Sequence, residues 1–265
     1  MRPFALMMAL ATAAALLEPI EARPNSRPAL ETAYLLLDAV TGRVLDARWT
    51  DPDRPVPIGS LIKPFTALAY AGTHGFTYPT LLCRGAADGC WLPSGHGRIG
   101  LADAVAGSCN AYFRQLAQRM TPDALIATLQ WFGIRVDRAA ATPGEMVGLG
   151  DGLKLAPSAL IRGYLELASR AGQPGVSPIV QGMMASARTG TGRAVGAAIG
   201  RTEALAKTGT APCSHSPRAS GDGYAVVVYP ADRPRVVLLV QAHGRTGAET
   251  AEVAGRLLTH ALGVR

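Results

Sequence analysis

Strand-like segments at both ends of the chain bracket a long helical middle, and this order limits the possible folds more than any other feature. Two short apolar runs, 34–38 and 43–47, are joined by a Val-Thr-Gly turn and predict a hairpin. Three strand-like runs follow the helical part: 204–210, 224–229 and 236–241. The simplest arrangement is an α+β fold in which one antiparallel five-stranded sheet, flanked by helices, joins the two ends of the chain. The stretch from about 75 to 200 is then an inserted all-helical lobe.

Apolar residues at helical spacing predict four helices in the middle of the chain: 60–70, 110–120, 122–132 and 157–170. Thr121 and Pro122 are typical of an N-cap and a first helical position. In the first helix, Pro64 falls in the first turn, where backbone amides have no intrahelical partner. Ser60 is therefore predicted at a helix start. A last helix is predicted after Thr246, which is a residue type that caps helices.

The first 22 residues have the composition of a secretory signal peptide. Met1-Arg2-Pro3 is a short basic region, and the apolar run 4–17 is too short to span a bilayer unaided. Residues 23–265 then form the mature domain, which we expect to be exported to the periplasm or another extracytoplasmic space. No later run approaches about 18 apolar residues, so no transmembrane segment is expected in the mature chain. The alternative is an uncleaved anchor, although Glu18 and Pro19 end the apolar run sharply.

Export places the four cysteines in an oxidising compartment. Cys83 and Cys90 flank six residues of a Gly-rich loop, so we expect a disulfide between them. A metal site is the alternative, but the other two cysteines are far away in the sequence and His96 is the only nearby imidazole. No set of metal ligands is therefore expected, and His96 is interpreted as a loop-packing residue. Cys109 and Cys213 are either two buried thiols or a disulfide across a cleft.

The net charge of +7 comes from 26 Lys and Arg against 19 Asp and Glu, and only three of the basic residues are Lys. A basic chain suggests nucleic-acid binding, but the sequence has no Arg cluster, no zinc-finger spacing and no basic helix. The charge therefore suits an anionic surface or substrate, and no nucleic-acid partner is expected.

Ser60 and Lys63 are three residues apart on a predicted helix, so the hydroxyl and the amine lie on one face. A serine hydroxyl is a weak nucleophile until a neighbouring base takes its proton. A helix N-terminus also offers free amides to a developing oxyanion. By itself this pair is weak evidence, because Ser-x-x-Lys is expected about once by chance in a chain of average composition.

Two further segments strengthen the interpretation. Ser108-Cys109-Asn110 lies at the junction before a predicted helix, and Lys207-Thr208-Gly209-Thr210 lies in a predicted strand. The chain has only three lysines and two asparagines. Lys63, Asn110 and Lys207 each fall in one of the three segments. The match is therefore strong as a set.

In order, the three segments resemble the motif set of penicillin-binding proteins and serine β-lactamases. The resemblance runs from about Tyr34 to Leu262 and is closest to the transpeptidase domain of class B penicillin-binding proteins. It also covers three other segments: Cys83 to Trp91 with Gly95-His96-Gly97, the loop 147–152, and Gly190-Thr191-Gly192 ahead of the lysine strand. Class B proteins usually carry a membrane anchor and a pedestal domain, and we expect neither in the 33 residues ahead of Tyr34.

The resemblance implies an acyl-enzyme mechanism that uses no metal and no cofactor. Ser60 attacks the carbonyl of a D-alanyl-D-alanine end of a peptidoglycan stem peptide, or of a β-lactam that mimics it. Lys63, which burial and Lys207 keep neutral, takes the serine proton. Ser108 passes the proton to the leaving amine, and Asn110 holds the substrate amide and orients Lys63.

The resemblance also implies a substrate-binding edge on the strand that begins near 204. Lys207 and the hydroxyls of Thr208 and Thr210 bind the terminal carboxylate of the substrate. Gly209 leaves room for the substrate along the strand. The backbone amides of Ser60 and Thr210 form the oxyanion hole.

The favoured function is an exported D,D-transpeptidase or carboxypeptidase that penicillin inhibits, and two other functions stay open. A class D β-lactamase has similar motif spacing, but that class has an apolar residue in the place of Asn110 and uses a carboxylated lysine. A non-catalytic penicillin sensor would keep Ser60 and be acylated once, but such sensors usually carry transmembrane helices. Glu145 and Glu166 are candidate additional bases, although neither has an Asn four residues later, as class A β-lactamases do.

Overall fold

The computed structural model describes residues 32–136, 142–200, 203–213 and 221–263. The predicted signal peptide at 1–22 lies outside the described residues. Nine strands lie in the described part: β1 Thr32–Asp38, β2 Val44–Arg48, β3 Val56–Pro57, β4 Leu81–Cys83, β5 Gly97–Ile99, β6 Lys154–Leu155, β7 Leu205–Ala211, β8 Asp222–Tyr229 and β9 Val236–His243. Eight α-helices lie there as well: α1 Lys63–Thr73, α2 Leu101–Ala106, α3 Asn110–Ala117, α4 Pro122–Trp131, α5 Pro157–Ser169, α6 Ser177–Arg188, α7 Arg193–Ile199 and α8 Gly247–Ala261.

A five-stranded antiparallel sheet forms the centre of the fold, and this prediction is confirmed. The strand order is β2-β1-β9-β8-β7, so the first and last parts of the chain meet where β1 pairs with β9. The predicted hairpin turn is also present, and Asp38 Oδ1 accepts hydrogen bonds there from the amides of Val40 and Thr41, at 3.0 and 2.7 Å. β7, which carries Lys207, lies at one edge of the sheet. One side of its backbone therefore faces away from the other strands.

Both faces of the sheet are apolar. Alternate side chains of a strand point to opposite faces, and in the central strands both sets are apolar. On β8, Val226 and Val228 join the larger core cluster, which includes residues of α1 and α5. Val227 joins the smaller cluster, which α8 covers. Thr246 and Glu249 form a reciprocal capping box at the start of α8, which confirms the predicted helix start. In the described part of the chain, no helix is both long and apolar enough to cross a bilayer.

The inserted part of the chain is mainly helical but not all-helical, which corrects the prediction. β4 pairs with β5, and β6 pairs with β3. These strands are two or three residues long, so no alternating pattern marks them in the sequence. Three helices, α2, α6 and α7, were not predicted. α2 and α7 are only six and seven residues long, so they carry little period. α6 buries Ile179, Val180 and Met183 at helical spacing, so its pattern was present in the sequence and was missed.

The first predicted helix is divided into two pieces. A 3-10 turn covers Gly59–Ile62, and α1 begins at Lys63 with Pro64 as its second residue. Ser60 therefore lies in the turn that leads into α1. Its side chain is partly exposed, whereas Lys63 is fully buried.

Candidate active site

The turn that carries Ser60 packs directly against the edge strand β7. Gly59 has a φ of +55°, and a Cβ at that position would collide with the backbone of Thr210. A Cβ on Gly209 would lie 2.7 Å from the carbonyl oxygen of Ile58. Glycine at both positions therefore allows the turn and the strand to touch. This contact brings Ser60 beside the strand segment that was predicted to bind a carboxylate.

Two buried hydroxyl groups hold the start of α1 in place. The hydroxyl of Tyr164 on α5 donates a 2.7 Å hydrogen bond to the carbonyl of Leu61. The hydroxyl of Thr66 donates one of 2.5 Å to the carbonyl of Met146. Both side chains are fully buried. In the sequence, Tyr164 stands among the apolar positions of a helix, so nothing there distinguishes it from an ordinary core residue.

Lys63 is joined to the turn between α2 and α3 by three hydrogen bonds. Its Nζ donates to the carbonyl oxygen of Ser108 at 2.8 Å and to Asn110 Oδ1 at 2.6 Å. A third, longer bond of 3.4 Å runs to Ser108 Oγ. The ring of Phe113 lies 5.6 Å from the same nitrogen. The first two predicted segments therefore meet at one amine.

Ser108 occupies a strained backbone conformation at this meeting point. Its φ is +49°, in the left-handed region, which costs a residue with a side chain about 1–2 kcal/mol. Its hydroxyl accepts a 2.9 Å hydrogen bond from Lys207 Nζ, so Ser108 Oγ lies between the two lysine amines. Strain of this kind clusters at functional sites, where the surrounding structure enforces it.

Burial perturbs both lysines, each of which has no exposed surface. Burial lowers the pKa of Lys63 from its usual 10.5 to about 7, and the nearby thiols of Cys109 and Cys90 act in the opposite direction. Burial also lowers the pKa of Lys207 well below its usual value, and the neighbouring Lys63 adds to this effect. A neutral amine is therefore accessible at Lys63 near neutral pH, which is what a general base requires.

The hydroxyl groups on β7 are already engaged with neighbouring elements. Thr208 Oγ1 lies 2.6 Å from Thr191 Oγ1, and Thr191 donates its backbone amide to the carbonyl of Ala106 at 3.1 Å. Thr210 is exposed, and its hydroxyl oxygen accepts a 2.9 Å hydrogen bond from the amide of Gly247 at the start of α8. Thr191 therefore links β7 to α2, a role that the sequence did not indicate.

The structure thus connects Lys63, Ser108, Asn110 and Lys207 through hydrogen bonds and brings the turn with Ser60 against β7. Among the described residues, none forms a hydrogen bond with the Ser60 hydroxyl, and Ser60 is partly exposed. Glu166 does not join this group, since it forms an ion pair with Arg170 at 2.6 Å within α5. Glu145 follows Thr142 in a loop, where its carboxylate accepts a 3.0 Å bond from the Thr142 amide.

Three thiols and an imidazole come together at the Ser108 turn. Cys83, Cys90, His96 and Cys109 place their ligand atoms within 4.8 Å of one another. The expectation that no set of metal ligands assembles was therefore wrong, because the start of α3 carries Cys109 to the loop that holds the other three. All four cysteines, including the half-buried Cys213, are free, so the structure contains neither the expected Cys83–Cys90 disulfide nor a disulfide between Cys109 and Cys213.

Solved structures of penicillin-binding proteins share this fold. Penicillin-binding protein 2 of Pseudomonas aeruginosa superposes with a TM-score of 0.73 at 21% identity, over 88% of this chain and 71% of that one. The D,D-transpeptidase domain of a peptidoglycan glycosyltransferase from Eggerthella lenta gives 0.70 at 19% identity, over 89% and 79%. The transpeptidase domain of penicillin-binding protein 3 from Burkholderia pseudomallei gives 0.65 at 20% identity, over 88% of each chain. At these identities the likeness establishes the fold.

The sequence comparisons give the family. Among curated proteins, no relative matches the chain. A family model described as the penicillin binding protein transpeptidase domain matches residues 53–262, which is most of the chain and includes all three predicted segments. The chain therefore belongs to the penicillin-binding protein transpeptidase domain family.

Proposed function

We propose that this chain is a serine D,D-peptidase that acts on the D-Ala-D-Ala ends of peptidoglycan stem peptides through an acyl-enzyme on Ser60. The observation that carries the proposal is the position of Ser108 Oγ, 2.9 Å from Lys207 Nζ and 3.4 Å from Lys63 Nζ. This hydroxyl lies between two buried amines, one of which belongs to Lys63, three residues after the partly exposed Ser60, and the three groups form a path for protons. Burying two lysines costs free energy that solvated side chains would avoid, which favours a catalytic role for the pair.

In the proposed acylation step, Lys63 takes the Ser60 proton while Ser60 Oγ bonds to the penultimate carbonyl carbon of the substrate. The C–N bond to the terminal D-alanine then breaks, and the leaving amine receives its proton from Ser108. Lys63 returns a proton to Ser108, so the step leaves both groups as they began. A pKa of about 7 for Lys63 supports this role, because the neutral amine is then present at neutral pH.

The substrate carboxylate is assigned to the edge of β7. Thr210 is exposed, and since its oxygen accepts the Gly247 amide, its hydroxyl proton remains available for donation. The Thr208 hydroxyl is buried and paired with Thr191, so we assign it a supporting role. Lys207 is fully buried, and it contributes through Ser108 and the backbone of Thr208, to whose carbonyl it donates at 2.6 Å.

The surroundings of Lys63 disfavour the class D β-lactamase alternative. That class carboxylates its lysine, which turns the amine into an anion with two acceptor oxygens. The two closest partners of Lys63 Nζ are themselves acceptor oxygens, those of Ser108 and Asn110. They suit an amine and would repel a carboxylate.

We also propose that the reaction takes place outside the cytoplasm, where domains of this family act on peptidoglycan. The support is the apolar run 4–17, which resembles a signal peptide. Full-length chain expressed in a Gram-negative host should appear in the periplasm with an N-terminus near residue 23. Chain that stays in the cytoplasm at full length would contradict this part of the proposal.

The function is tested with a synthetic stem peptide that ends in D-Ala-D-Ala, supplied with and without an acceptor amine. We expect release of D-alanine by the wild-type chain and by Ser169→Ala, which alters an exposed serine on α5, and no release by Ser60→Ala. Release by Ser60→Ala at the wild-type rate would refute the proposal. Stoichiometric acylation without any turnover of peptide would instead support a penicillin sensor.

A further inference from the structure

The cluster of three cysteines and one histidine has the dimensions of a metal site. Cys90 Sγ lies 3.8 Å from Cys109 Sγ and 3.5 Å from His96 Nδ1. Cys83 Sγ lies 3.6 Å from the same nitrogen. A zinc ion bonds sulfur at about 2.3 Å and nitrogen at about 2.0–2.1 Å, so a tetrahedral site places two sulfurs about 3.8 Å apart and a sulfur and a nitrogen about 3.6 Å apart. The three distances between the ligand atoms agree with these tetrahedral separations.

We propose that Cys83, Cys90, His96 and Cys109 bind one zinc ion in a closed, four-coordinate structural site. Three thiolates and an imidazole favour Zn²⁺ over the oxygen-preferring Mg²⁺ and Ca²⁺. A disulfide between any two of these cysteines would require sulfurs about 2.05 Å apart, much closer than the 3.8 Å between Cys90 and Cys109. The site is distinct from the proposed peptidase chemistry, in which no metal takes part.

Backbone groups beside the ligands help to orient them. His96 Nε2 lies against the backbone of Gly107, 2.8 Å from the place of a Cβ there, so the ring turns Nδ1 toward Cys83 and Cys90. The backbone amide of Tyr112 donates a 3.4 Å hydrogen bond to Cys109 Sγ. An amide donor of this kind stabilises a thiolate, the form in which cysteine binds zinc.

The loop that carries three of the ligands is tightly folded. Gly85 and Gly95 have φ values of +73° and +78°, and a Cβ on either would collide with the backbone beside the other. These two glycines let the chain double back between Cys83 and His96. Cys109 is the N-cap of α3 and lies between Ser108 and Asn110, so a metal here would tie this loop to the proposed proton path.

The site is tested first by its metal content. The full-length chain, produced without a histidine tag, is incubated with reductant and zinc sulfate, desalted, and analysed for zinc by mass spectrometry. We expect one zinc per chain in the wild type and in Cys213→Ser, the matched control outside the cluster, and a large loss in Cys83→Ser. Wild-type chain that retains no zinc, or Cys83→Ser that retains as much as the wild type, would overturn the proposal.

Because a ligand variant can fail to fold, the second measurement uses the wild type alone. The reduced, chelator-treated chain is titrated with Co²⁺, and we expect the strong visible absorption of tetrahedral cobalt–thiolate to saturate at one equivalent and disappear on addition of zinc. Weak octahedral absorption would contradict the proposal. A disulfide within the cluster would also contradict it. That result would appear as a metal-free chain, purified without reductant, whose mass is two hydrogens below the sequence mass and whose disulfide maps to two of these cysteines. Neither readout involves a peptide or a penicillin, so failure of this site is distinguishable from failure of the proposed function.

Discussion

Two substitutions at Ser108 can separate the effect of its strained backbone on stability from the effect of its hydroxyl on acylation. The strain comes from its φ of +49°. Ser108→Ala removes the hydroxyl and keeps a Cβ in the left-handed conformation. Ser108→Gly removes the same hydroxyl and relieves the backbone cost. Both variants break the link between Lys207 and Lys63, so they should share a loss of acylation but differ in stability.

The expected magnitudes follow from the contacts of Ser108. Both variants lose the 2.9 Å bond from Lys207 Nζ, while its 2.6 Å bond to the Thr208 carbonyl remains. One buried N–H that loses its acceptor costs about 1–3 kcal/mol in the free energy of unfolding. The glycine variant recovers about 1 kcal/mol of this through its relaxed backbone. For a chain of this size, that difference corresponds to about 2–4 °C in the melting temperature. Loss of a general acid or base slows the reaction it serves by about 10²–10⁴-fold.

Two measurements check these expectations. Thermal unfolding of the unacylated variants should show Ser108→Gly melting above Ser108→Ala and below the wild type. Acylation by a fluorescent penicillin, followed by quenched time points, should be at least about 100-fold slower in both. If the glycine variant acylates at the wild-type rate, Ser108 carries no proton in the reaction. If the alanine variant is the more stable of the two, the assignment of strain is wrong.

Three other predictions concern the proposed base, Lys63, and the turn that carries the proposed nucleophile, Ser60. The rate of acylation should rise with pH and reach half its maximum near the Lys63 pKa of about 7, because only the neutral amine accepts the serine proton; a profile that stays flat across neutral pH would contradict this. Gly209→Ala should abolish acylation and lower the melting temperature, because the new Cβ would lie 2.7 Å from the Ile58 carbonyl oxygen. Tyr164→Phe should lower the free energy of unfolding by about 1–3 kcal/mol and slow acylation, because the buried Leu61 carbonyl loses its donor.

Matched controls separate these effects from general damage. Gly72→Ala lies within α1, where a Cβ meets nothing within 4 Å, so it should leave acylation unchanged. Tyr34→Phe removes an exposed hydroxyl that bonds Asp46, so its effect on unfolding should be small. If a variant and its control change acylation or the free energy of unfolding equally, the proposed contact does not explain the effect.

The sheet was predictable because its evidence is local. Each strand has its own apolar run, and the hairpin and the capped last helix leave few ways to join the ends of the chain. The ribbon of β4 and β5 was not predictable, since strands of three residues carry no period. The 3-10 turn at Ser60 was also missed, because only the packing of Gly59 against Thr210 shows why the α-helix begins later, at Lys63.

The group of residues in the proposed proton path was predictable only as three separate segments. The scarcity of lysine and asparagine made the set convincing, but the sequence contained no distances, so the bridging position of Ser108 Oγ could not be derived. The metal-ligand cluster was missed for a related reason. Cys109 is far from Cys83 in the chain, and sequence spacing does not reveal that α3 begins against the loop. Thr191 and Tyr164 act through single hydrogen bonds across the fold, which no local pattern records.

The central claim is that Ser60 is the nucleophile, and the most direct test is the mass of the chain after treatment with penicillin. One adduct of the mass of the intact antibiotic should form, and peptide mapping should place it on Ser60. The adduct should be long-lived and absent from Ser60→Ala. An adduct mapped to another residue, or one that persists undiminished in Ser60→Ala, would contradict the account.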